Sequence, residues 1–148
     1  MAVPAPAVSP TDPVPPVKVA KKVIVAVFGA PWCHYCHENL PKVQLELEKL
    51  RREFRDAIDF RLYVISGGNA ATLANDTETL AYQRSIGLSQ AVAYSDPRGR
   101  IFQFYVGGGS IPAAAVVSAD GKTVIKKYPG GSLDPYGIAS VAAKEAAK

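Results

Sequence analysis

The chain has 148 residues, 48% of them hydrophobic, which is enough apolar material for one domain with a core. Its formal net charge of +4 comes from 17 basic residues interleaved with 13 acidic ones, so we expect no nucleic-acid partner. No apolar run approaches the roughly 20 residues of a membrane-spanning helix, and the N-terminus lacks the basic and apolar regions of a secretory signal.

Residues 1–17 contain six prolines among alanine and valine, a composition that favours extended polyproline conformations over packing. We predict a flexible tail or linker over residues 1–17 and one folded domain over residues 18–148. Segments of this kind often join a folded domain to a signal or a membrane anchor, so a membrane tether in a longer precursor is one interpretation. An ordinary disordered terminus is the other.

A strand, a helix and a second strand are predicted next. Residues 23–28 form a β-branched run without polar alternation, as in a strand buried on both faces, and Gly29-Ala30-Pro31 ends it. Residues 60–65 predict a second buried strand, and this order implies a right-handed parallel crossover. The helix between them is indicated by apolar residues three and four apart, namely Leu40, Val43, Leu47, Leu50 and Phe54.

A short helix is predicted from about Thr77 to Ile86. Asn75 or Asp76 can cap its N-terminus, and Gly87 can end it. We interpret this helix as a small insertion.

The last part of the chain predicts a β-hairpin and a final helix. Residues 113–118 and 123–128 flank Asp120-Gly121, which strongly favours a tight hairpin. Asp134-Pro135 supplies a cap and a first-turn proline for an alanine-rich helix. The whole order predicts an α/β fold, with a central mixed sheet flanked by helices on both faces.

The reactive side chains are concentrated in Trp32-Cys33-His34-Tyr35-Cys36-His37, which contains both cysteines and both histidines of the chain. Two cysteines separated by two residues at a strand-to-helix turn place the first thiol at the helix N-terminus. Backbone N–H groups and the helix dipole stabilise a thiolate there. The second thiol, one turn along, can attack the mixed disulfide that the first one forms. The pattern predicts thiol–disulfide exchange, with Cys33 attacking and Cys36 resolving.

Two other functions fit the same segment. Its residues 33–37 match the C-x-x-C-H pattern of covalent haem attachment, with His37 as the iron ligand, although the only methionine is Met1. Two sulfurs and two imidazoles could also bind copper, as in a copper chaperone, although four ligands from five consecutive residues cannot easily face one ion. We expect no cofactor and no dedicated metal site, and two buried free thiols are the simplest alternative.

The segment Ala30-Pro31-Trp32-Cys33-x-x-Cys36, followed by Pro41, resembles the active-site segment of the thioredoxin superfamily. A second segment resembles the region around the family's cis-proline, especially in TlpA-like periplasmic members; it comprises Gly107-Gly108-Gly109-Ser110-Ile111-Pro112, Asp120-Gly121 and Gly130-Gly131. The resemblance covers roughly residues 18–147. It implies a thioredoxin fold and a thiol–disulfide oxidoreductase.

The resemblance also implies a substrate-contact site around the cysteines. The Ile111-Pro112 bond is expected to be cis and to lie beside them, where the neighbouring backbone can pair with a bound peptide in strand fashion. Trp32 is expected at the surface next to the site. His34 and Tyr35, between the cysteines, are expected to tune the reactive pair.

The sequence departs from the family pattern at the proton acceptor for Cys36. Many members hold a buried acid at the position of Val27, or a glutamate at the position of Asn39, and this chain has neither. Glu38 and His37 are near enough to substitute, but we interpret both as solvated helix residues.

The resemblance further implies protein thiol or disulfide substrates, an upstream redox partner, a monomer, and a periplasmic or otherwise extracytoplasmic location. The lack of a third cysteine fits an exported enzyme with a single pair, because a disulfide can persist outside the cytosol. The direction of electron flow stays open on this evidence.

Overall fold

The computed structural model describes residues 20–131 and 133–148, so the predicted tail over residues 1–17 lies outside the described residues. None of the helices in the described ranges is long and apolar enough to cross a lipid bilayer. The elements follow one another along the chain in this order: β1 (Val23–Gly29), α1 (His34–Glu48), α2 (Arg52–Asp56), β2 (Ile58–Val64), α3 (Asp76–Ser85), β3 (Val92–Ser95), α4 (Arg100–Val106), β4 (Ala113–Ser118), β5 (Val124–Tyr128) and α5 (Pro135–Ala146).

The strands form one mixed sheet in the order β3-β2-β1-β4-β5. β1 pairs with β2 in parallel and with β4 antiparallel, so it lies at the centre of the sheet. β2 pairs with β3 in parallel, and β4 pairs with β5 antiparallel. The predicted mixed sheet, the parallel crossover and the hairpin are confirmed.

β1 is buried along its whole length because helices cover both faces of the sheet. Val23, Val25 and Val27 belong to a core cluster with residues of α1, α3 and α5. The alternating residues Ile24, Ala26 and Phe28 belong to a second cluster with residues of α4. The absence of polar alternation in this strand therefore reflects two separate cores.

The predicted long helix is two helices in the structure. α1 ends at Glu48, and the chain turns through Lys49–Arg51 before α2 begins. Leu50 and Phe54 nevertheless pack against the same core cluster as α1. The apolar spacing therefore predicted the positions that face the core correctly but not the break, because packing along one side does not require a continuous helix.

The predicted small insertion is larger than one helix. α3 is capped by the Asn75 side chain, which accepts from the Glu78 N–H, and it leads to the edge strand β3, which the sequence did not indicate. α4 was also not predicted. β3 has only four residues, and the α4 segment is rich in aromatic and β-branched residues, so neither shows a clear period.

The N-terminus of α4 is organised by Asp96, a buried acid that the sequence did not single out. Its two carboxylate oxygens accept hydrogen bonds from the N–H groups of Ile101 and Phe102, at 3.1 and 3.0 Å. Burial raises the pKa of Asp96 above its ordinary value, although these hydrogen bonds act in the opposite direction.

Tyr63 leads to a prediction about stability at alkaline pH. Burial raises the pKa of its hydroxyl to about 12, partly offset by the hydrogen bond from Arg61. In the unfolded chain a tyrosine ionises near pH 10, so the contribution of Tyr63 to stability is complete below pH 10 and is lost as the pH rises through 12. As the pH rises from 10 to 12, we expect the free energy of unfolding of Tyr63→Phe to fall by up to about 3 kcal/mol less than that of the wild type. Urea unfolding of both proteins below pH 10 and near pH 12 measures how far the free energy of unfolding of each one falls. An equal fall in the two proteins would contradict the prediction.

Candidate active site

The end of β1 and the start of α1 position the two cysteines. The Cys33 N–H donates to the Ala30 carbonyl at 3.0 Å, which closes the turn after the strand. Cys33 is the N-cap of α1 in an extended conformation, and its Sγ accepts a hydrogen bond from the Cys36 N–H at 3.2 Å. The first sulfur therefore lies at the helix N-terminus, where backbone donors favour a thiolate.

Cys33 and Cys36 are joined by a disulfide. Cys36 is fully buried, whereas 6% of Cys33 is exposed, so Cys33 is the sulfur that a partner can approach. Neither sulfur is free in this state to form a thioether with haem or to bind a metal. Within residues 20–131 and 133–148, no group of three or more histidine, cysteine or acidic side chains could hold a metal ion.

The loop before β4 reaches the disulfide because of the sheet register. β4 pairs antiparallel with β1, and Ala113 lies opposite Phe28, near the end of β1 that leads to the cysteines. The preceding Ile111-Pro112 peptide bond is cis. The Ile111 carbonyl oxygen lies 3.8 Å from Cys33 Sγ. Residues 78 positions apart in the chain thus meet at one site.

Trp32 lies beside the disulfide with 45% of its surface exposed. Its indole N–H donates to the Ser66 hydroxyl at 2.6 Å, which fixes the ring against the loop after β2. A surface cavity of about 520 Å³ extends from Trp32 and Ile111 towards Arg98 and Phe102. No sequence pattern singled out Ser66, Arg98 or Phe102 as site residues, because loops and the unpredicted α4 supply them.

The two residues between the cysteines are solvent-exposed. The His34 side chain is 80% exposed, and its Nε2 lies 2.7 Å from Glu38 Oε1 on the next turn. Tyr35 is 68% exposed. His37, also at the surface, has its Nε2 3.2 Å from the Pro31 carbonyl.

The two positions at which the family places an acid are not acidic here, and the structure shows what occupies them. Val27 is fully buried in the core cluster of α1, α3 and α5. The Asn39 side-chain amide donates to the Tyr35 carbonyl at 2.8 Å, on the exposed side of the helix. The hydroxyl of Tyr82, a buried residue of α3 that no sequence pattern singled out, packs against the same side of Gly29 as the Cys36 side chain.

No family model matches the chain, and no curated protein matches it. Several solved structures are similar to it. The pneumococcal exposed lipoprotein thioredoxin Etrx1 from Streptococcus pneumoniae has a TM-score of 0.62 at 21% identity, covering 83% of this chain and 84% of that one. A secreted Mycobacterium tuberculosis disulfide oxidoreductase, described as homologous to DsbE of E. coli, has a TM-score of 0.56 at 19% identity, covering 82% and 83%.

StoA from Bacillus subtilis is a third similar structure, with a TM-score of 0.58 at 15% identity over 84% of each chain. At these identities the likeness concerns the fold, and the fold predicted from the sequence is confirmed. The mixed sheet, the covering helices and the cysteine pair at the start of α1 agree with it. The chain therefore has the thioredoxin fold.

Proposed function

We propose that the protein is a thiol–disulfide oxidoreductase that exchanges its Cys33–Cys36 disulfide with protein thiols through a mixed disulfide. The observation that carries the proposal is a disulfide at the N-terminus of α1, with the more exposed sulfur 3.8 Å from the Ile111 carbonyl. Thiolate stabilisation by a helix N-terminus is the property that exchange requires. The similar structures include a disulfide oxidoreductase, which agrees with this chemistry.

In the proposed reaction a substrate thiolate attacks Cys33 Sγ. The Cys33–Cys36 bond breaks, the substrate becomes bonded to Cys33, and Cys36 leaves as a thiolate that takes up a proton. A second substrate thiolate then attacks the substrate sulfur, so the substrate is oxidised to a disulfide and Cys33 is released as a thiolate. The reverse sequence reduces a substrate disulfide, and the potential of the pair relative to that of the substrate decides the direction.

The surface around the pair supports a peptide substrate. Trp32 and Ile111 border the cavity beside Cys33, and the backbone next to Pro112 can pair with an extended peptide. We assign His34 and Tyr35 a tuning role through their exposed positions beside the sulfurs. An upstream redox partner would restore the pair after each cycle.

The proposed location is periplasmic or otherwise extracytoplasmic, and the proposed state is a monomer. Two of the similar structures are described as an exposed lipoprotein and a secreted oxidoreductase. A disulfide enzyme with one cysteine pair suits an oxidising compartment. A membrane tether preceding the domain is part of the same proposal.

Equilibration with glutathione tests the proposed function. We expect the pair to convert fully between dithiol and disulfide as the ratio of reduced to oxidised glutathione changes, because the first sulfur is activated and the second lies one turn away. Alkylation followed by mass spectrometry counts the thiols, and every reactive thiol belongs to this pair because the chain has two cysteines. Two thiols that stay alkylatable after mild oxidation would refute the proposal. A haem absorption band, or stoichiometric copper after dialysis, would replace it with one of the two alternatives.

A further inference from the structure

Tyr82 carries a buried hydroxyl that the packing of the core does not explain. Only 3% of the residue is exposed, and its hydroxyl has no hydrogen-bond partner among the described residues. An unpaired buried hydroxyl costs free energy, and a phenylalanine ring would fill the same space without that cost. The hydroxyl therefore requires an explanation other than packing.

The position of this hydroxyl relates it to the resolving cysteine. A Cβ atom built on Gly29 would lie 3.0 Å from the Tyr82 hydroxyl and 3.5 Å from Cys36 Cβ. The same atom would lie 2.8 Å from Leu40 Cδ1, a separation that real Cβ atoms do not adopt. The hydroxyl and the Cys36 side chain thus pack against the same side of Gly29, where the neighbours lie too close for any side chain.

We propose that the Tyr82 hydroxyl donates a hydrogen bond to the Cys36 sulfur whenever that sulfur is not in the disulfide, and so stabilises the Cys36 thiolate. The inference deepens the proposed function and rests on it. A disulfide sulfur is a weak acceptor, which agrees with an unpartnered hydroxyl in the oxidised protein. A thiolate is a strong acceptor, and hydrogen bonds to charged groups are the strong ones.

The role fits both directions of exchange. When a mixed disulfide is resolved, Cys36 gives its proton to water and attacks Cys33 Sγ, and a new Cys33–Cys36 bond forms. The bond from Cys33 to the substrate breaks, and the substrate sulfur leaves with the electron pair and takes up a proton. Tyr82 keeps its own proton throughout. Burial raises the pKa of Tyr82, which keeps the hydroxyl protonated and able to donate.

Burial raises the pKa of Tyr82, and no charged group among the described residues contributes to this shift. The His37 ring packs against the Tyr82 ring with centroids 5.3 Å apart, and its Nε2 is directed to the Pro31 carbonyl. Gly29, against which the hydroxyl packs, carries no titratable group. With Val27 and Asn39 in place of acids, the Tyr82 hydroxyl is the candidate for an interaction with the Cys36 sulfur.

Tyr82→Phe tests the inference in the full chain, since it removes the hydroxyl and keeps the ring. In the reduced protein, nuclear magnetic resonance of the cysteine Cβ carbons follows both thiols against pH. We expect the Cys36 titration to move up by about one pH unit, with Cys33 unchanged. In the oxidised protein, reduction by dithiothreitol expels Cys36 as the leaving group, so we expect a rate about threefold to tenfold slower. The fluorescence of Trp32, the only tryptophan, reports this reaction.

Tyr128→Phe is the matched control. Tyr128 is also buried, with no hydrogen-bond partner for its hydroxyl among the described residues, but it lies on β5, where burial and the charge of Asp134 raise the pKa of its hydroxyl. A shift confined to Tyr82→Phe supports the inference. Two results would overturn the inference alone, provided that wild-type protein exchanges normally. One is a Tyr82→Phe variant whose Cys36 titration and reduction rate equal those of the wild type. The other is a Tyr128→Phe variant that shifts the Cys36 titration as much as Tyr82→Phe does. If wild-type protein forms no reversible disulfide, the proposed function is refuted and the inference with it.

Discussion

Replacing Cys33 with serine is expected to lower exchange with glutathione by at least about a thousandfold, because it removes the proposed nucleophile. Cys33 is the sulfur with exposed surface, at the N-terminus of α1 and beside Ile111, and a serine hydroxyl is not ionised at neutral pH. The initial rate of disulfide formation with oxidised glutathione measures the effect. Alkylation of the remaining Cys36 in the same samples shows whether it reacts in place of Cys33.

Cys36→Ser is the matched control for this prediction. It leaves the attack by Cys33 intact but removes the resolving thiol, so a mixed disulfide with glutathione should accumulate. Its mass is measured without a reducing agent. If Cys33→Ser accumulates the mixed disulfide and Cys36→Ser does not, the assigned roles are reversed.

The second large effect concerns Phe28, the central side chain of the core under α4. The residue is fully buried, and its ring lies 5.3 Å from that of Tyr63 and 5.2 Å from that of Phe102. Phe28→Ala removes this ring and leaves a cavity, which costs about 3–5 kcal/mol of the free energy of unfolding. Urea unfolding monitored by circular dichroism measures the loss.

Phe28→Leu controls for the loss of volume, and we expect it to lower the free energy of unfolding by less than half as much as Phe28→Ala does. Phe28 lies on the face of β1 opposite the cluster that contains the cysteines. The folded fraction of either variant should therefore exchange with glutathione at the wild-type rate. A cost below about 1 kcal/mol for Phe28→Ala would show that α4 packs too loosely to form a core.

The elements that the sequence predicted correctly depend on short stretches of chain. The β-branched run of β1 indicates burial on both faces, and Asp120-Gly121 marks the turn between β4 and β5. Asn75 and Asp134 cap α3 and α5, as predicted. In each case the signal and the structure lie within a few residues of each other.

The elements that the sequence missed derive their structure from distant contacts. β3 is a strand because it pairs with β2 at the edge of the sheet, and its four residues show no period of their own. α4 begins at the buried carboxylate of Asp96 and covers the face of the sheet that contains Phe28. Neither interaction produces a pattern that can be recognised in a short stretch of the sequence.

The site also combines features determined by local sequence with features determined by distant contacts. Spacing alone determined that Cys33 and Cys36 can form a disulfide, because residues three apart in the first turn of a helix lie on one side of it. Only the tertiary structure decided what surrounds them. Ile111 reaches Cys33 through the register of β4 against β1, and the Tyr82 hydroxyl of α3 packs against the side of Gly29 that Cys36 also contacts. Such contacts depend on the order of the strands and on which faces of the sheet and helices are buried, and many residues together determine both. The helix period, in contrast, acts within a single turn.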